Sequence, residues 1–413
     1  MDITSNVSAY DALIILVAGS ICYAIAQSAY RLFLHPLAKF PGPKLAAASQ
    51  WYEFYYDVVV APGGQYSKRV AAMHKRYGPI VRVNPNELHI SDSSYYDTLY
   101  SGKRDKWPAA AAMAGLESGS FATVPHELHR KRRAANLSLL AKRAVVDAVP
   151  MIQARIKKLC AAFARAAERG APLELSVTFL AFTTDTMGYF LLNEDLGMQD
   201  QAAEAAKWQA GTHQMARATP LIKQFPWLVK PGLMIPQFVW EALAPEVGCM
   251  VGVQFKIRDS AERFLSSQAQ KNGAVVDGKE AERPASIFHA IYAHPAPLEE
   301  KSLGRLWHEA ASSIIAGSET TGRVITRATY EMQMDREVLG KVRKSIDEAV
   351  SASGRSVAEL TLAELERLPW LVATVKESLR ISANITSRLP LCSREPLKFH
   401  DWTIPAGVCV VPH

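Results

Sequence analysis

The sequence predicts a mainly α fold with a small β portion, an α+β architecture. Three observations lead there. From about residue 126 to 380, apolar residues recur at the three-and-four spacing of helix faces. Short strand-like runs with turn signals occur only toward the two ends, IVRVNPNELHI at 80–90 and LKFHDWTIPAGVCVVP at 397–412. The 413 residues are 49% apolar and contain no repeat or low-complexity segment, so the chain can bury a large core. A small strand-rich portion built from both ends, packed on a helical body, is the simplest assembly.

The elements follow in order. Residues 12–30 carry no charge between Asp11 and Arg31, and with its flanks the run LIILVAGSICYAIA is long enough to span a bilayer core. The preceding MDITSNVSAYD lacks the Lys or Arg of a signal peptide, which favours a retained anchor. Arg31, Lys39 and Lys44 lie only after it, so residues 1–11 are expected in the lumen and the body in the cytosol. The expected location is the endoplasmic reticulum membrane, crossed once. Residues 31–45 contain FPGPK, whose prolines hold the chain extended as a stiff hinge. The body is then 46–413. In it, Ile152, Ile156, Leu159, Cys160 and Phe163 trace one helix face. TFLAFTTDTMGYFLL at 178–192 reads as a buried helix, because Asp185 and its length argue against a second span. A polar loop is expected over 271–286.

The next helix carries a notch. Leu303, Leu306, Trp307, Ala310, Ala311, Ile314 and Ile315 form a buried stripe, and Gly317, Ser318, Glu319, Thr320 and Thr321 interrupt it. Gly costs about 1 kcal/mol relative to Ala inside a helix, so the interruption needs a reason. The Thr320 hydroxyl can bond the carbonyl of Ala316, which predicts a loosened, bulged ladder and a groove. A carboxylate and a hydroxyl beside such a groove could relay protons to dioxygen or water.

Three further clusters stand out. In HELHRKRR at 126–133 the fifth residue is Arg130, so the H-E-x-x-H zinc pattern fails, while His129 and Arg133 share a helix face suited to a ligand's carboxylates. Glu377 and Arg380 in KESLR are three apart and can pair. Arg388 precedes a Pro-stiffened segment, RLPL. The net charge of +7 is modest and no basic block alternates with aromatics, so no nucleic-acid partner is expected. The five cysteines make no C-x-x-C pair; reduced thiols and no metal site are expected.

The order of these features, from anchor and Pro-Gly-Pro hinge through His-x-x-x-Arg, A-G-x-E-T-T and E-x-x-R to Arg-Leu-Pro, resembles the membrane-bound cytochrome P-450 family of haem-thiolate monooxygenases. The likeness runs from about residue 30 onward, and HELHRKRR before KRAV looks like the fungal branch, although ANLSLLAKRAV departs from its usual Asn-Pro-Phe-Phe-Ser form. The resemblance implies a haem cofactor, an NADPH-dependent reductase partner and a lipophilic small-molecule substrate, of terpenoid or polyketide type, in secondary metabolism. It implies that Glu319 and Thr320 are the acid–alcohol pair, and that His129, Arg133 and Arg388 hold haem propionates. Ala316 and Gly317 would line the distal face of the haem, and Glu377 with Arg380 would be the structural pair. One departure is large. The family's ligand loop, F-x-x-G-x-R-x-C-x-G, is not found after Arg388, and the late Cys392 and Cys409 lie in strand-like sequence. The expectation is therefore a domain lacking its C-terminal haem-binding segment and its axial Cys, inactive as it stands. The alternative is a catalytically dead, membrane-tethered protein that binds ligands or partners.

Overall fold

Both ends of the chain enter one sheet. A computed structural model describes residues 9–112, 115–271, 286–382 and 388–412. The first eight residues of the expected tail and nearly all of the loop expected at 271–286 lie outside the described residues. Strands β1 (Ile80–Asn84) and β2 (Glu87–Ile90) form an antiparallel hairpin. They are followed by β3 (Arg104–Lys106) and, late in the chain, by β4 (Leu391–Ser393), β5 (Leu397–Phe399), β6 (Trp402–Ile404) and β7 (Cys409–Pro412). The main sheet has the order β1-β2-β7-β4-β3, with β2 parallel to β7, and β5–β6 make a separate hairpin. The alternation of β1 explains why all five of its residues are buried. Ile80 joins Leu37, Phe40, Leu88, Ile90 and Phe399 on one face, while Val81 and Val83 pack on Tyr66, Val70 and Met73 on the other.

Helix α1 (Ala9–Ala29) is exposed along almost its whole length and runs into a wider helical turn, Tyr30–Leu34. The Pro-rich stretch after it packs on the sheet. Leu37 and Phe40 are buried, Phe40 stacks on Trp402 at 4.9 Å, and Arg82 N–H donates to the Pro41 carbonyl at 2.7 Å. Gly42 is required there, since a Cβ would stand 2.4 Å from the Arg82 carbonyl oxygen. Short helices α2 (Lys44–Ala48) and α3 (Trp51–Phe54) and the longer α4 (Tyr66–Tyr77) complete this portion.

The helical body comprises α5 (His126–Ala134), α6 (Val149–Glu168), α7 (Leu175–Leu192), α8 (Ala202–Gln224), α9 (Pro245–Lys271), α10 (Leu303–Met334), α11 (Arg336–Ser353) and α12 (Pro369–Ser382). Its core joins Leu180 and Leu191 of α7, Trp208 of α8, Ile257 of α9, and Leu306 and Ile314 of α10. The apolar α7 is a core helix, as expected. Its Asp185 is fully buried and accepts backbone N–H bonds from Met198 and Gln199, both at 2.8 Å, which satisfies a carboxylate that the interior would otherwise reject.

Two expectations need correction. Helix α10 passes through its notch without a bulge, from the Ser302 N-cap to Asp335. The Thr320 hydroxyl does donate to Ala316 O at 2.8 Å, as Ser318 does to Ile314 O and Thr326 to Gly322 O. A carbonyl has two lone pairs, so it accepts the hydroxyl while keeping its helical N–H partner. The late cysteines are also not free thiols. Cys392 and Cys409 face each other across β4 and β7 and form a disulfide.

Candidate active site

The centre of α10 turns three kinds of residue in three directions. Ile314 and Ser318, four residues apart, are fully buried on the core side of α10, while Ala316, two residues from each and so on the opposite side of the helix, is exposed, which leaves a bare strip on that outer face. The direction in which Gly317 would carry a side chain is filled by Met187 of α7, whose Cε lies 2.6 Å from an added Cβ. Ala316 and Gly317 therefore do not present a common side-chain face. Glu319 points to α8: Thr212 Oγ1 donates to its Oε2 at 3.3 Å, and His213 Nε2 stands 3.4 Å from its Oε1. A cleft of about 550 Å³ opens here, lined by Gln209, His213, Glu319, Arg323 and Tyr330 among others. Thr320 follows Glu319 on the helix, with its hydroxyl on the Ala316 carbonyl.

Helix α5 presents the expected basic pair, and β3 adds a cation that the sequence did not single out. Burial first, then the charges of Lys106 and Arg133, push the His129 imidazole down to about 4. Burial and Arg133 likewise push the Lys106 ammonium down to about 8, against an upward pull from Glu309. The Lys106 ammonium donates to the carbonyls of Phe121 at 2.6 Å and Ser120 at 3.2 Å. Lys106 lies in a three-residue strand with no periodic pattern, so no sequence signal marked it. The same region is locked to α10 by Glu309, a buried carboxylate also missed. It accepts from Ser120 N at 2.6 Å and Oγ at 2.7 Å, Asn136 Nδ2 at 2.5 Å and Arg305 Nη1 at 2.6 Å.

The other candidates lie elsewhere. Arg388 reaches the sheet side, where its Nε donates to Glu87 and its Nη2 to Glu53, both at 2.7 Å. Glu377 and Arg380 pair as expected, at 2.7 and 2.5 Å, but their side chains are 55% and 70% exposed on α12. An exposed pair of this kind is screened by solvent and contributes little to stability, and among the described residues it lies on the surface.

A haem-thiolate site needs a thiolate under the iron and free cations for two carboxylates. The described residues supply the bare strip at Ala316 and the cations of α5 and β3. They do not supply the rest. Cys392 and Cys409 are bonded to each other, Cys22 lies on the exposed α1, and Cys160 is exposed on α6. Cys249 on α9 is half-buried, with its thiol pushed up to about 11 by burial and Glu204. Arg388 is already held by two carboxylates. The described residues thus do not fit a complete haem-thiolate site. Among them, no three His, Cys, Asp or Glu side chains come together as another metal site.

The chain is similar to known proteins over most of its length. The sequence model of the family described as cytochrome P450 matches residues 48–413. A tryptophan 6-hydroxylase from Fusarium equiseti is 34% identical over 398 residues, 96% of this chain and 75% of that protein. An N-acetyltryptophan 6-hydroxylase from Emericella nidulans is 34% identical over 408 residues, covering 98% and 78%. A conidiogenone synthase from Penicillium rubens is 34% identical over 397 residues, covering 95% and 77%.

Proposed function

The chain belongs to the cytochrome P-450 family, and from that membership we propose that the strip at Ala316 on α10 is the wall against which a lipophilic small molecule of fungal secondary metabolism lies. The family's members are monooxygenases with a haem-thiolate cofactor, and they generally draw electrons from a reductase partner; an NADPH-dependent one is proposed here. Terpenoid or polyketide-type substrates are the class proposed. The observation that carries this reading is the exposure of Ala316 on the side of α10 opposite the fully buried Ile314 and Ser318. A bare methyl group in the middle of a core helix offers apolar contact without blocking entry, which suits a ligand pocket. Beside it, Glu319 with His213 lines a cleft between α10 and α8, and Thr320 holds a hydroxyl at the Ala316 carbonyl. In this reading these groups hold and pass protons along the edge of the strip.

The test is direct binding. Calorimetric titration of the full chain in detergent with a tricyclic diterpene alcohol should give saturable binding that Ala316→Trp weakens at least about tenfold, since a large side chain would fill the strip. Equal affinity of the variant would refute the site. A second reading, a membrane-tethered ligand-binding protein without catalysis, is favoured by one observation: among the described residues the two late cysteines are bonded to each other, and the free ones lie on α1, α6 and α9. It predicts the same binding without turnover. Residues Tyr10–Leu34 are long and apolar enough to cross a membrane. We place this helix in the endoplasmic reticulum membrane as a single anchor, with residues 1–11 lumenal, residues 31–45 as the connecting segment and the body from 46 onward in the cytosol.

A further inference from the structure

Arg388 is the residue for which resemblance and geometry disagree. Its side chain is 6% exposed, and two carboxylates already hold its Nε and Nη2. Glu87 accepts from Nε and Glu53 from Nη2, with those carboxylates only 3% and 10% exposed. Lys223 of α8 reaches the same Glu53 oxygen at 2.6 Å, and its ammonium lies 4.8 Å from the Trp107 ring centroid. Asn84 Nδ2 bridges the two acids, at 2.5 Å to Glu53 and 2.9 Å to Glu87. The guanidinium face is covered by the Tyr66 ring at 4.6 Å. Burial pushes both carboxyls up, but Arg388 and Lys223 pull harder and hold each below its usual range, so both are ionised. In direct contact two cations meet two anions, and a third carboxylate, Asp57, which accepts from the Tyr66 N–H at 2.8 Å, lies close enough to draw on both cations as well.

A buried charge is tolerated only when paired, and removing one partner is costly. A further carboxylate brought to Arg388 would add negative charge to a group with no cation to spare and little water to screen it. We propose that Arg388 is the hub of a charge-closed buried quartet with Glu53, Glu87 and Lys223, tying α3, β2 and α8 to the approach of β4, and that this chain does not use Arg388 to bind the carboxylate of a tetrapyrrole. The inference rests on the family membership, not on the substrate proposed above, and its test involves no substrate.

The experiment compares the full chain with Arg388→Met and with the double variant Arg388→Met/Glu87→Gln. The single change leaves two acids facing one lysine; the double change restores a neutral Glu53–Lys223 pair. Melting of the haem-free protein should fall by about 5 °C or more in the single variant, and at least half of that loss should return in the double variant. If the single variant is insoluble, a soluble double variant gives the same answer, and equal insolubility of both overturns charge closure. The second arm titrates hemin and hemin dimethyl ester, which lacks the free carboxylates, following tryptophan quenching. Arg388→Met should leave the ratio of the two affinities within about twofold. An unchanged melting point, or a selective loss of free-acid hemin, would show that Arg388 is a carboxylate ligand after all. Should neither hemin form bind, the melting comparison decides alone.

Discussion

Lys106 and His129 are basic groups whose burial opposes their charged forms, and each therefore ties stability to pH. The Lys106 ammonium titrates at about 8 when folded and near 10.5 in a free chain. Between those values the unfolded chain binds more protons, so stability rises with pH across the window, and the full cost of the buried charge is present below pH 8. Lys106→Met should thus raise the melting point at pH 7 more than at pH 10.5, and a gain equal at both would contradict the burial argument. His129, pushed to about 4 from 6.5, obeys the same sign lower down: stability is lost as pH falls from 6.5 toward 4. His129→Gln should flatten that part of the melting profile, and an acid limb identical to the parent's would assign the loss to other groups. At this scale the sequence was partly legible. His129 and Arg133 share a helix because their spacing is local. The acids that hold Arg388 are 301 and 335 residues away, and Lys106 meets α5 only through the sheet, so neither relation is written in any short stretch.

Helix contacts depend on small residues in two different ways. On α8, a Cβ at Gly211 would stand 2.5 Å from the Glu246 carbonyl oxygen of α9, a backbone atom that cannot move aside without shifting the helix. On α10, the same atom at Gly317 meets only the flexible end of Met187. Gly211→Ala should therefore destabilise by about 1–3 kcal/mol, as overpacking does. Gly317→Ala should cost less than Gly211→Ala, because the roughly 1 kcal/mol helix gain of Ala offsets the displaced methionine. Urea unfolding of the two variants checks the order, and a costlier Gly317→Ala would show that the notch glycine is the tighter contact. The stripe of α10, the buried α7 and the 80–90 hairpin were all readable, because periodicity and turn residues are local signals. The continuity of α10 was not. Whether hydroxyl back-bonds bend a helix depends on how firmly its neighbours hold it, and α7 lies along this one. The Cys392–Cys409 pairing was hidden for a related reason, since it follows from the register of β4 on β7.

For the whole molecule, the assembly of one sheet from both chain ends followed from where the alternating runs lie, with β2 beside β7 as the closing contact. The exposed α1 predicts that the full chain stays with membranes through a carbonate wash and that removing residues 1–34 releases most of it; release of the intact chain would rule out the anchor. The central claim concerns the site. The described chain carries the α10 strip with Glu319 and Thr320, while its late cysteines are committed to each other and Arg388 to Glu53 and Glu87. The most direct measurement is the reduced-plus-carbon-monoxide difference spectrum of the 413-residue protein expressed with haem precursor. The account predicts no thiolate-type Soret band, whether or not haem is retained. A clear thiolate band would contradict it, because a cysteine would then have to leave its place in this structure to reach the iron.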